Sequence, residues 1–245
     1  MLPVKRPPVP PPHAAILSAR LRARDIGALA DFYGSTLGLP VRPGSDGSNS
    51  IVVDAGASRL EFTKSTRTGP RPVHHLAFGI PEHMVPQALE WARRRMTILR
   101  DARDDEIVHF AGWNAHAFYF MDAEGNILEL IGRHDLPDDA AGPFHPGLIR
   151  SLSEVAIAVP DPPGVAAFAS ALRDTLGLSP YRSGSDDFAA VGDERGLLVL
   201  VREGRPWFMA EHVPATVEAT EVTIAGPRRG TVQLPGVPIS VRCDG

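Results

Sequence analysis

One short strand-like segment recurs four times along this 245-residue chain, and that repetition constrains the fold more than any other feature. The copies are residues 18–25 (Ser-Ala-Arg-Leu-Arg-Ala-Arg-Asp), 75–82 (His-Leu-Ala-Phe-Gly-Ile-Pro-Glu), 154–161 (Glu-Val-Ala-Ile-Ala-Val-Pro-Asp) and 221–228 (Glu-Val-Thr-Ile-Ala-Gly-Pro-Arg). Three of them lead into apolar residues at helical spacing: 25–39, 84–95 and 163–178. Asp25 is placed to cap the first helix, and Gly38 to stop it. Short strands broken by turn residues follow each helix. A full copy therefore reads strand, helix, three strands. The fourth has a leading strand and a hairpin partner at 230–234, but no helix.

Such a module covers one sheet face with its helix and leaves the other bare, so two modules must pair their bare faces around a cleft. The predicted class is α+β, with repeated βαβββ modules whose pairs form a curved mixed sheet. The first module (15–66) and second (73–134) are expected to pair over 15–137. A linker at 138–149 then leads to a third module plus the truncated fourth over 150–245. Residues 1–14, with six prolines before position 13, read as a disordered tail. An apolar content of 43% suffices for a core. The net charge of −4, without a basic run, argues against nucleic acid as partner. No segment reads as a secretory signal or a membrane span, and the one cysteine, Cys243, allows no intrachain disulfide. A cytoplasmic location is expected.

Side chains alternate across a strand. One set in the leading strands is apolar throughout: Ala19, Leu21, Ala23; Leu76, Phe78, Ile80; Val155, Ile157, Val159. That set should face the helices, with Leu60, Phe62, Leu128 and Leu130 beside it. The opposite set carries Arg20, Arg22, His75 and Glu154. By this test His75, Glu61 and Glu129 converge on one concave surface, and an imidazole with two carboxylates suits a divalent first-row metal. Arg20 points the same way and could attract an anionic substrate. His116 shares a face with Phe118 and Phe120; if that face is the cleft, His116 is an acid–base candidate and Phe118 lines the substrate site. Trp113 either walls the pocket or simply packs. His74 should lie off the cleft and serve structure. Glu154 and Glu221 hold the repeat position of His75 and could face each other, but no glutamate follows in their closing strand at 197–201, so a supporting role is expected. The loop at 204–208 could contact the first cleft or a partner subunit.

The entry at Asp31-Phe-Tyr and Leu37-Gly-Leu, the strand at His74-His75-Leu-Ala-Phe, and the run Asp122-Ala-Glu-Gly-Asn-Ile-Leu-Glu129-Leu resemble the vicinal-oxygen-chelate superfamily. That superfamily includes glyoxalase I, extradiol dioxygenases, fosfomycin-resistance enzymes and bleomycin-binding proteins. The resemblance implies metal ligation by His75, Glu129 and Glu61, and a catalytic role for Glu129. The remaining ligand position, normally His, Gln or Glu, is Ser18, a poor ligand.

Two functions follow. One is a lyase, isomerase or dioxygenase dependent on Zn, Ni, Mn or Fe, acting on a small substrate with adjacent oxygens; ring cleavage normally wants two histidines, which disfavours the dioxygenase. The other is a metal-free small-molecule-binding protein, a reading that predicts a homodimer.

Overall fold

The computed structural model describes residues 13–182 and 184–244. The expected tail falls almost wholly on residues 1–12, outside them. In the first module β1 (Ala15–Ala23) leads into α1 (Ile26–Asp31), followed by β2 (Val41–Gly44), β3 (Gly47–Ala55) and β4 (Ser58–Lys64). The second comprises β5 (His75–Ile80), α2 (Val85–Arg93), β6 (Val108–Phe110), β7 (Ala115–Met121) and β8 (Ile127–Arg133). The third is β9 (Ser151–Val159), α3 (Val165–Leu176), β10 (Phe188–Asp193) and β11 (Gly196–Arg202), so two strands follow its helix instead of three. A small hairpin, β12 (Pro206–Trp207) and β13 (Ala210–Pro214), precedes the fourth, which consists of β14 (Thr220–Ala225), β15 (Gly230–Gln233) and β16 (Ile239–Cys243). β15 pairs with β16, which lies between it and β14, so the expected direct hairpin is not formed.

The helices begin and end where local chemistry says they should. Asp25 accepts the Ala28 N–H at 2.9 Å, an N-cap bond. The first helix is shorter than expected: α1 gives way at Phe32–Thr36 to a π-helical turn. α3 stops at Gly177, whose φ of +74° suits glycine and whose N–H reaches the Arg173 carbonyl.

Strand pairing departs from the sequence-based expectation. One sheet runs β15-β16-β14-β1-β4-β3-β2, and the other β10-β11-β9-β5-β8-β7-β6. The first module thus joins the fourth, and the second joins the third. Both joints are antiparallel, β1 with β14 and β5 with β9. The alternation test alone cannot choose between partners, because each opening strand offers the same apolar helix-facing row.

That row behaves as expected. Ala19, Leu21, Leu60, Phe62, Leu76, Phe78, Leu128, Leu130, Val155 and Ile157 share one core with the helix side chains of the first three modules. A second cluster, with Ala77, Tyr119, Ile131, Ala156, Val199 and Trp207, covers the opposite face of the second sheet. The halves are joined by polar contacts as well. Ser58 Oγ donates to the Ile16 carbonyl and accepts the Leu152 N–H. Gly56 has φ +58°, and a Cβ there would lie 2.1 Å from the Arg150 carbonyl oxygen, so only glycine lets these chains approach. His74 is buried and bonds through Nε2 to the Arg22 carbonyl at 2.9 Å, the structural role expected for it.

Asp122 closes the turn into β8 and meets the Tyr33 hydroxyl of the other half at 3.3 Å. Burial pushes its carboxyl up from 3.8 to about 6, despite bonds from Asn126 and Glu124 that pull it down. A carboxyl raised on folding binds its proton more tightly in the native state. Its stabilising contribution is complete below pH 3.8 and is lost as pH rises through about 6. The loss is roughly 3 kcal/mol. Urea unfolding between pH 4 and 7 should show this decline in the wild type and a flatter profile in Asp122→Asn; parallel profiles would refute it.

Candidate functional site

The face of the second sheet turned away from the helices brings three side chains of metal-ligand type together. His75 opens β5, Glu129 lies mid-way along β8, and Glu154 lies on β9. His75 Nε2 stands 3.5 Å from Glu129 Oε2 and 4.0 Å from Glu154 Oε2. One donor atom from each residue lies within 4.8 Å of the other two. The strand register explains the convergence, because Ala77 is opposite Glu129 on one side and opposite Glu154 on the other. Its small side chain leaves open space between them.

The imidazole is set for ligation. His75 Nδ1 is 3.2 Å from the Ile127 carbonyl oxygen, so it carries the proton and Nε2 presents its lone pair to the carboxylates. Burial holds the His75 pKa below the usual histidine range, although the Glu154 charge works the other way. Burial, then the neighbouring Glu154, pushes the Glu129 carboxyl well above the usual carboxylate range. The nearby Tyr119 hydroxyl and the Arg133 charge act the other way on Glu129. Glu154 is paired with Arg133, whose Nε also donates to Ser153 Oγ at 3.0 Å. One arginine against two buried carboxylates leaves a site short of positive charge, and the donor set suits a divalent first-row ion. The position corresponding to Glu129 in the third module is Val199, opposite Ala156. It supplies no ligand, so three donors leave open positions.

A cavity of about 240 Å³ opens over this group. Its walls are mostly aromatic: Phe110, Trp113, Tyr119, Phe188, Trp207 and Phe208. Arg205, Trp207 and Phe208, at and just before the β12–β13 hairpin, also line it. Trp207 packs 6.1 Å from the His75 ring, and its buried indole N–H has no partner among the described residues. Phe208 meets Phe110 and Tyr119 but stays 48% exposed, at the cavity mouth. Arg205, the arginine on the lining, is held by Asp187 at 3.4 Å.

Several sequence-based candidates stand elsewhere. Glu61 lies on β4 in the first sheet, so it does not join His75 and Glu129. Arg20 is there too, outside the cavity, with its Nε 3.2 Å from Glu61 Oε2 and Nη1 4.0 Å from Glu221 Oε2. This arrangement mirrors the other sheet. Arg20 is opposite Glu61 on β4 and Glu221 on β14, as Ala77 is opposite Glu129 and Glu154. A guanidinium thus fills the cation position in one half, where an alanine leaves it open in the other. Glu221 faces Arg20, not Glu154. Phe118 is fully buried on the helix side, because the face it shares with His116 and Phe120 is not the cleft. His116 likewise lies outside the cavity. Trp113 does line it. The residues missed were Glu154, Tyr119 and Trp207. Glu154 carried a signal, since it holds the repeat position of His75; Tyr119 would have followed from placing Phe118 in the core.

No family model and no curated protein matches the chain. Solved structures do. A candidate dioxygenase from Bacillus subtilis subsp. subtilis str. 168 superposes with a TM-score of 0.59 at 13% identity, over 94% of this chain and 85% of that one. Glyoxalase I from Zea mays superposes with a TM-score of 0.55 at 16% identity, over 95% of this chain and 92% of that one. The chain therefore shares the fold of these structures, built from paired βαβββ modules.

Proposed function

We propose that His75, Glu129 and Glu154 hold one divalent metal ion and that the chain is a glyoxalase-like lyase or isomerase for a compact substrate with two adjacent oxygens. The observation that carries this reading is the convergence of one unprotonated imidazole nitrogen and two buried carboxylates under an aromatic cavity. One histidine with two acids departs from the two-histidine set usual for ring cleavage, which favours proton transfer over dioxygen chemistry. The bound ion would supply Lewis acidity toward the substrate oxygens.

The protein's own groups do the rest. Glu129, with its raised carboxyl, is suited to take a proton from the carbon beside the substrate oxygens and return it to the neighbouring atom. Such an isomerisation moves the carbon-bound proton between the two carbons while the hydroxyl proton passes from one oxygen to the other, with no net oxidation. Tyr119 orients Glu129, and Arg133 supplies countercharge to Glu154. At about 240 Å³ the cavity is smaller than the usual ~300–1,000 Å³ of ligand pockets, so the substrate is small. The aromatic walls favour a planar apolar body. With Arg205 already paired, the lining does not suit a multiply charged tail. The same walls support a second reading, capture of an aromatic ligand without turnover.

Loading with Co(II) gives a direct test. The cobalt absorption bands should shift when a catechol or an aromatic α-hydroxyketone is added, and the hydroxyketone should isomerise. Unchanged bands would overturn the proposal; a shift without turnover in Co(II), Zn(II) or Ni(II) protein would favour the binding reading.

A further inference from the structure

Glu82, His116 and His134 form a second group of metal-ligand type, on the helix side of the second sheet and apart from the cavity. His134 Nε2 lies 2.8 Å from His116 Nδ1 and 3.5 Å from Glu82 Oε1. All three donor atoms lie within 4.8 Å of one another. Two donors held at about 2.0–2.2 Å by one tetrahedral zinc ion sit roughly 3.3–3.5 Å apart, so small side-chain movements suffice.

Each side chain is positioned by the fold. His116 lies opposite Gly132 in the β7–β8 register. A Cβ on Gly132 would come 2.7 Å from the Glu82 Cα, so the glycine lets the turn before α2 close onto the strands. His134 follows β8, with its N–H on the Asn114 carbonyl at 3.0 Å. The His109 ring stacks on His116 at 4.5 Å and 15°, which fixes the plane of the His116 ring. The group is partly exposed, so an ion has access and water can complete its coordination.

We infer that Glu82, His116 and His134 form a second divalent-metal site, selective for imidazole-seeking ions of the zinc class, which staples the start of α2 to the end of the strand that carries Glu129. Two imidazoles with one carboxylate favour zinc, nickel or copper over magnesium or calcium. The inference is independent of the proposed activity, since it uses none of the cavity residues.

Zinc titration of the full-length chain by calorimetry tests it. The wild type should bind two equivalents. A His75→Ala/Glu129→Gln double variant should keep one, with unchanged affinity. Adding His116→Ala or His134→Ala to that background should weaken the remaining equivalent at least tenfold. Glu82→Gln, at a partly exposed residue outside the core, should weaken it too and guards against misfolding of the histidine variants. A double variant that binds no zinc, or one whose binding survives His116→Ala and His134→Ala unchanged, would overturn the assignment. A wild type with one equivalent, retained in the double variant and lost with His116→Ala, would uphold this site and reject the cavity site.

Discussion

His75→Ala should weaken the cavity's affinity for a divalent ion by at least about 100-fold, since changes to groups that only support a ligand already cost 10–100-fold. The physical cause is specific. His75 offers the one nitrogen among the three donors, and its Nδ1 bond to the Ile127 carbonyl is what aims Nε2 at the two glutamates. The variant should also lose the rise in Tm that the ion gives the wild type, because an ion that binds only the native state stabilises it in proportion to its affinity. Glu61→Gln is the informative control. Glu61 was the third ligand expected from alternation, but its carboxylate is engaged by Arg20 and by the Ser45 hydroxyl at 2.7 Å in the other sheet. Partial burial opposes it, yet those bonds hold the Glu61 carboxyl below its usual range. Affinity at the cavity should therefore be unchanged in Glu61→Gln. Loss of binding in that variant, or full binding in His75→Ala, would reject the arrangement.

Arg133→Met should destabilise the metal-free protein by roughly 3–5 kcal/mol, the cost of leaving a buried ion-pair partner alone. Arg133 is almost wholly buried, pairs with Glu154, bonds Ser153 and lies over the Trp113 and Tyr181 rings at 5.7 and 5.8 Å. Without it, Glu154 and Glu129 face each other with no cation between them. A divalent ion should then stabilise the variant more than it stabilises the wild type, since it becomes the sole countercharge. Urea unfolding with chelator and with added zinc measures both effects. A loss under 1 kcal/mol, or an equal response to zinc in the two proteins, would show that Arg133 does not balance the site.

The two halves illustrate how one module was put to different uses. In the first sheet Arg20 projects between Glu61 and Glu221 and satisfies them internally. In the second, Ala77 stands at the corresponding position, and Glu154 is paired instead with Arg133 from the end of β8.

The sequence by itself determined the modules and their faces. Period-two alternation is local, so Leu76, Phe78, Leu128 and Leu130 had to face the helices, and His75 and Glu129 had to face away. The caps at Asp25 and Gly177 are likewise local chemistry. Only the tertiary structure decided which modules pair. The four opening strands carry nearly the same apolar row, and choosing among partners depends on pairings such as β1 with β14 and β5 with β9, between residues far apart in the chain. That choice brought Glu154 to His75 and took Glu61 away, because a site shared between two strands belongs to their pairing and not to either strand alone.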